Sequence, residues 1–169
     1  IIFDLSNNQK LIYNDIRKFG FIKFFKKNNL DENIHLKYLG PEPLSKKFNV
    51  RYFKDYIYGK ERTIKNLLMD QKFISGLGNI YANEILFFSE VKPNKKIKKL
   101  SDNEIKKIIK LTKKIITKAI ILGGSSIRDF SSSSGKKGSF QQHFSVYGKK
   151  GKKCIKKNCN GLIKKIIIS

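Results

Sequence analysis

The chain contains no run of about 18 apolar residues, so no helix in it is predicted to span a membrane. Its opening residues also lack the basic, apolar and small-residue succession of a signal peptide. With two cysteines in 169 residues it is not a disulfide scaffold, and a cytoplasmic protein is the expectation. Methionine occurs once, at Met69, and the first residue is Ile1, which reads as an internal position of a longer protein. Arginine is scarce: four against 33 lysines, with abundant Ile and Asn, a pattern that AT-rich codons alone produce. Arg17, Arg51, Arg62 and Arg128 therefore stand out as positions where a planar fork is wanted. Acids are outnumbered too, 13 against 37 bases, and the net charge of +24 points to a polyanion, nucleic acid before membrane. Hydrophobic residues make up 40% of the chain, enough for one good core or two small ones.

Short apolar runs at 1–5, 10–13 and 19–25 read as three antiparallel strands, with Ser6-Asn7-Asn8 as the first turn. Three strands do not make a sandwich, so they are expected to be the tail of a larger β-domain. Between the second and third lies Asn14-Asp15-Ile16-Arg17-Lys18-Phe19-Gly20. Its pattern alone is that of a surface turn with Phe19 folded inward, although cations beside an aromatic also suit phosphates and bases. Residues 26–60 are turn-rich, with a corner at Gly40-Pro41-Glu42-Pro43-Leu44 and a short helix near 52–58.

The stretch 61–93 has helical apolar spacing on both sides of Gly76-Leu77-Gly78-Asn79. Glycines permit a tight turn there, and Asn79 falls where a second helix would open with unpaired N–H groups, an end that suits a phosphate oxygen. A plain helix corner is the competing reading of that turn. Ser101 to Glu104 then forms a capping box, followed by an apolar stripe through Ile105, Ile108, Ile109, Thr112, Ile115, Ile116, Ala119 and Ile120, and by Gly123-Gly124 as a stop. Lys106, Lys107, Lys110, Lys113, Lys114 and Lys118 occupy the opposite face, read as solvated surface. Residues 125–138 are Ser- and Gly-rich, a linker or a closing lid. A strand-like run at 139–147 leads to a basic tail with Cys154 and Cys159, for which two free thiols and half of a zinc site both fit.

In series, YNDIRKFG, LGPEPL, IKNLLMDQKFISGLGNIYANEILF, GGSSIRDF and FQQHFSVYGKKGKKC resemble the bacterial formamidopyrimidine-DNA glycosylases. The resemblance runs over essentially the whole chain. It implies an α+β fold: the last strands of an N-terminal β-sandwich (1–27), a connection (28–60), a helix-two-turn-helix domain (61–148) with a lesion-capping loop (123–138), and a β-hairpin zinc finger cut short (149–169). The implied activity is base-excision repair, with removal of oxidised purines such as 8-oxoguanine and formamidopyrimidines, followed by strand cleavage as an AP lyase. Such chemistry needs a phosphate clamp, a plug for the extruded base and a pocket that closes.

By position, the resemblance places the clamp on Lys65 and Asn79, the plug on Lys18 and Phe19 with Arg17 beside them, and the lesion pocket and cap on Ser125, Ser126, Arg128 and Tyr147. Lys18 stands where the family usually has arginine. The family's nucleophile is an N-terminal proline amine helped by a glutamate, expected upstream of Ile1, because Pro41, Pro43 and Pro93 are internal amides. No catalytic residue is therefore expected in this chain. Zinc is implied as cofactor, with Cys154 and Cys159 as two of four ligands, separated by four residues rather than the family's two. The implied partner is double-stranded DNA with oxidised purines or abasic sites, bound by a monomer and without a membrane. Two other readings compete: a non-catalytic nucleic-acid-binding module, which leaves LGPEPL and GGSSIRDF unexplained, and an oxidised-pyrimidine glycosylase, which the GGSSIRDF cap argues against.

Overall fold

The computed structural model describes residues 1–15, 18–26, 33–125 and 138–168. These fall into two compact units, Ile1–Leu36 and Lys37–Ser169. Together they give an α+β fold: β1 (Ile2–Asp4), β2 (Lys10–Ile12), α1 (Val50–Ile57), α2 (Ile64–Leu68), α3 (Asn79–Ser89) and α4 (Asp102–Ile121). None of the described helices is long and apolar enough to cross a membrane.

In the first unit, β1 and β2 pair antiparallel with Phe3 opposite Leu11. The turn between them closes through Asn8, which takes a positive φ of 60° and donates its N–H to Leu5 O. The third expected strand, 19–25, is absent among the described residues. An apolar run becomes a strand only against a partner edge. Here the run leaves Phe19, Phe21 and Phe24 exposed.

The second unit is built around aromatic and aliphatic packing. Phe73 stands edge-on to Phe48 and Phe53 and is stacked on Tyr52, whose hydroxyl donates to Phe73 O. Burial, then the neighbouring Tyr56 and Asp70, pushes the Tyr52 hydroxyl up to about 12. The Gly40-Pro41 corner packs beneath this cluster: a Cβ on Gly40 would lie 2.5 Å from the Phe73 carbonyl. That contact explains the glycine of LGPEPL by close approach. Gly40 N–H donates to Gln71 O and Ser75 N–H to Pro41 O, so the corner is laced to the chain leading into the glycine turn.

Helix α4 follows the sequence reading closely. Ser101 Oγ accepts from Glu104 N–H while a Glu104 oxygen accepts from Ser101 N–H, a complete capping box. Ile105, Ile108, Ile109, Thr112, Ile115 and Ala119 are buried, but Ile116 is only half-buried and Ile120 is exposed, so the apolar stripe is narrower than expected. Two positive-φ glycines, Gly123 and Gly124, end the helix. Around them Ser139 N–H donates to Leu122 O and Phe140 N–H to Gly124 O, which ties residue 124 to residue 140 across the base of the Ser- and Gly-rich segment.

The expected strand at 139–147 is instead a 3-10 turn, Phe140–His143, followed by a second turn. Its N–H groups are satisfied locally, Gln142 on Ser139 O and Phe144 on Gln141 O, which leaves no ladder to extend. The basic tail then forms a short antiparallel hairpin, with Lys153 bridged to Leu162.

Candidate nucleic-acid interface

Helix α3 opens without a side-chain cap: its N-cap is Gly78, with φ near −119°, and no side chain accepts the first N–H groups. Over 11 residues the aligned peptide dipoles leave this end electropositive, and the uncapped donors can take an anionic oxygen. Gln71 shapes the turn before it. Its Oε1 accepts from Gly76 N–H at 2.8 Å and its Nε2 donates to Leu77 O at 2.7 Å, so one amide braces both sides of the turn. Gly76 itself has a φ of 78°, a conformation costly for any side chain.

Asn79 is the first residue of α3 and is exposed. Asn83, one turn on, donates its Nδ2 to Asn79 O at 2.7 Å and to Asn79 Oδ1 at 3.0 Å. A backbone carbonyl only accepts, so the Asn83 atom is the NH₂, and its second contact must be the Asn79 oxygen. Asn79 Nδ2 is then left as a donor beside the uncapped helix end. Lys65 lies on α2, half-buried, with its N–H on Pro93 O. No ion pair involves its ammonium among the described residues.

The same helix reaches the other expected positions. Two residues beyond Asn79, the Tyr81 hydroxyl lies 3.3 Å from Ser125 Oγ, and its ring packs on Phe140. Five residues beyond Asn79, Glu84 is buried, with 1% of its surface exposed. Its carboxylate accepts three successive backbone N–H groups: Ser145 at 2.8 Å, Val146 at 3.0 Å and Tyr147 at 2.9 Å. Tyr147 is half-buried and edge-on to Phe144. Thus α3 carries Asn79 and bonds to Ser125 and to the backbone of Tyr147. Ser126 and Arg128 lie outside the described residues, as does Arg17.

In the other unit, Asp15 shapes the loop that holds Lys18 and Phe19. Its Oδ1 accepts from Lys18 N–H at 3.1 Å and its Oδ2 from Gly20 N–H at 2.6 Å. Lys18 adopts a φ of 56°, an unusual conformation for a side-chain-bearing residue. Phe19 is 79% exposed, which overturns the inward-folded reading of its pattern. In the second unit Arg62 pairs through Nη1 with Asp70 at 2.5 Å, part-buried, and Arg51 is exposed 3.9 Å from Asp55.

The two thiols meet at the hairpin. Cys154 N–H donates to Gly161 O, and the N–H of Gly161 and then the thiol of Cys154 hold the Cys159 thiol below its ordinary range. Two sulfurs suit zinc in kind and fall short in number. Among the described residues no cluster of three or more His, Cys, Asp or Glu side chains is present, so these residues alone do not complete a metal site.

No sequence motif marks Asp15, Gln71, Asn83 or Glu84 as functional. Only Glu84 left a trace: it is the sole acid between 71 and 89, set beside Ile85 on the face that α3 buries.

The family profile described as the formamidopyrimidine-DNA glycosylase H2TH domain matches residues 39–131, more than half of the chain. The chain belongs to the formamidopyrimidine-DNA glycosylase family. Among this family's members, the formamidopyrimidine-DNA glycosylase of Rickettsia massiliae is 43% identical over 163 residues, covering 96% of this chain and 57% of that protein. The crystal structure of the MutM (Fpg) protein of Thermus thermophilus superposes with a TM-score of 0.88 at 30% identity, over 99% of this chain and 63% of that one. An Fpg mutant of Lactococcus lactis, in complex with DNA containing Fapy-dG, superposes with a TM-score of 0.85 at 35% identity, over 95% and 58%. The chain thus spans somewhat over half the length of the glycosylase relatives it matches.

Proposed function

We propose that this chain is the DNA-holding part of a base-excision repair glycosylase and AP lyase that removes oxidised purines. The observation that carries the reading is the opening of α3: uncapped N–H groups beside an Asn79 amide whose oxygen is already engaged by Asn83. A donor array without its own acceptor, in a chain of net charge +24, fits a backbone phosphate. The Lactococcus relative, crystallised with DNA containing Fapy-dG, supports DNA as the partner.

In this reading Lys65 and Asn79 grip phosphates of the damaged strand, which fixes register and carries no base information. Arg17, Lys18 and the exposed Phe19 occupy the gap left by the extruded nucleotide, where a ring restores stacking. Ser125, Ser126, Arg128 and Tyr147 border the pocket that receives the base. Cys154 and Cys159 supply two thiolates toward a zinc ion that would order the hairpin, and no step of base removal runs through it. The attack on the sugar belongs to the amine that the family resemblance implies, which Pro41, Pro43 and Pro93 cannot provide as internal amides.

The test has two arms. Anisotropy with duplexes that do or do not carry an abasic-site analogue should show salt-sensitive binding by this chain and a preference for the abasic duplex. Borohydride trapping on an 8-oxoguanine duplex should covalently capture the full-length protein. Equal affinity for intact and abasic duplex, together with no trapped adduct, would overturn the reading in favour of a non-catalytic nucleic-acid-binding module.

A further inference from the structure

We propose that Glu84 is a positioning residue for DNA binding, holding the basic hairpin at a fixed place relative to the phosphate-facing end of α3. The proposal rests on the DNA reading above and goes beyond it, since it assigns a task to a residue that touches no DNA.

Asn79 and Glu84 stand five residues apart on one helix, about 7.5 Å along its axis. Glu84 Oε2 accepts from Ser145 N–H, and Oε1 accepts from both Val146 and Tyr147 N–H. Three consecutive amides converging on one carboxylate leave that turn a single orientation. The hairpin starts directly after it, at Gly148, whose φ is 71°. Lys149, Lys150, Lys152 and Lys153 follow, and none of them is paired with a carboxylate among the described residues. A second tie exists farther along, where Lys156 reaches Glu90 at 3.1 Å and sits 4.9 Å above the Phe87 ring. Glu90 in that pair is exposed while Lys156 is half-buried, so the tie is weaker than one to a buried carboxylate. The carboxylate of Glu84 is therefore the main link between clamp and hairpin. In a chain with 13 acids against 37 bases, an acid buried at this joint repels no phosphate at the surface.

A mere brace would lower stability without altering how DNA is held. A positioning residue makes the hairpin lysines useful, so its loss and theirs are not additive. A double-mutant cycle on the full chain separates the two, with affinity for an abasic-analogue duplex measured by anisotropy on protein shown folded by circular dichroism. Substituting Lys152 and Lys153 together by Ala should weaken binding about tenfold in the parent. In the Glu84→Gln background, where one amide loses its acceptor, the same substitution should cost less than about twofold, and the salt dependence should already be shallower. Asn79→Ala should remain additive with Glu84→Gln.

If the lysine substitution costs as much in Glu84→Gln as in the parent, Glu84 is only a brace and the proposal falls. Hydrogen exchange of the parent gives a reading that no variant can spoil. The Ser145, Val146 and Tyr147 amides should exchange as slowly as those of α3, and fast exchange there would overturn the link. A parent that binds no duplex would overturn the DNA reading and this proposal with it. A parent that binds DNA but shows an additive cycle would overturn this proposal alone.

Discussion

Two loops in this molecule are held in the same way and in opposite surroundings. In each, a carboxylate gathers backbone N–H groups that would otherwise point at nothing: Asp15 takes those of Lys18 and Gly20, and Glu84 takes those of Ser145, Val146 and Tyr147. Glu84 is 1% exposed, whereas the amides that Asp15 collects belong to exposed residues. Water can replace Asp15 at modest cost, and nothing can replace Glu84. The first loop therefore tolerates the loss of its carboxylate, while the second is a fixed joint.

The largest break in that comparison is Glu84→Ala. It removes three charge-assisted bonds and strands amides at or near the interior, so a loss of about 3 kcal/mol is expected. For a chain of this length that lowers Tm by about 10 °C, measurable by calorimetry. A change of only one or two degrees would mean that water reaches the Ser145 to Tyr147 turn and that the two loops are alike.

Acid should come next, through carboxylates that grip side chains. Asp70 is raised by burial but lowered more by the Lys72 N–H and Arg62, ending below its ordinary value. Glu104 is lowered, first by Lys95 and then by Ser101 N–H. A depressed folded value means that the stabilisation is complete above the unfolded value and is lost as pH falls through the folded one. Thermal stability should thus hold from neutrality down to about pH 4.5 and fall steeply below about pH 4. Asp70→Asn should be less stable at neutral pH and show a shallower acid limb. An unchanged limb would show that Asp70 is not coupled to folding.

What the sequence disclosed follows the range of each interaction. Helix α4 was legible because its start, stripe and stop are local signals, a capping box, a 3.6-residue period and two glycines. The start of α3 at Asn79 was legible through its glycine turn. The third strand was misread because strand identity depends on a distant edge, which the apolar run 19–25 does not advertise. Glu84 was missed for a related reason: its partners lie 61 to 63 positions away and are backbone amides, which carry no signature in sequence. The 139–147 run was misread together with it, since the amides that a strand would spend on a neighbour are spent on Glu84 and on the preceding 3-10 turn.

Asp15→Ala is the counterpart of the Glu84 substitution and should be far milder, about 1 kcal/mol or less, because solvent satisfies the freed amides. Its effect should appear in function, as faster exchange at Lys18 and Gly20 and a reduced preference for abasic over intact duplex. A Tm loss matching that of Glu84→Ala would erase the distinction between the two loops.

The smallest effect isolates orientation from bonding. Asn83 fixes which end of the Asn79 amide faces outward through a bond of 3.0 Å, while its 2.7 Å bond to Asn79 O holds the side chain in place. Asn83→Ala removes both, leaves α3 helical because alanine favours a helix, and frees the Asn79 amide to rotate. If Asn79 donates to phosphate, losing half of its useful orientations weakens duplex binding by about twofold to threefold, equally for every sequence. Asn83→Asp provides the control. Its carboxylate would draw Asn79 Nδ2 inward, turn the oxygen outward and place a negative charge near the phosphate, so it should bind worse than Asn83→Ala. Should the aspartate variant bind as well as the parent, the Asn79 amide is not the donor, and the contact at this end of α3 is made by the helix N–H groups alone.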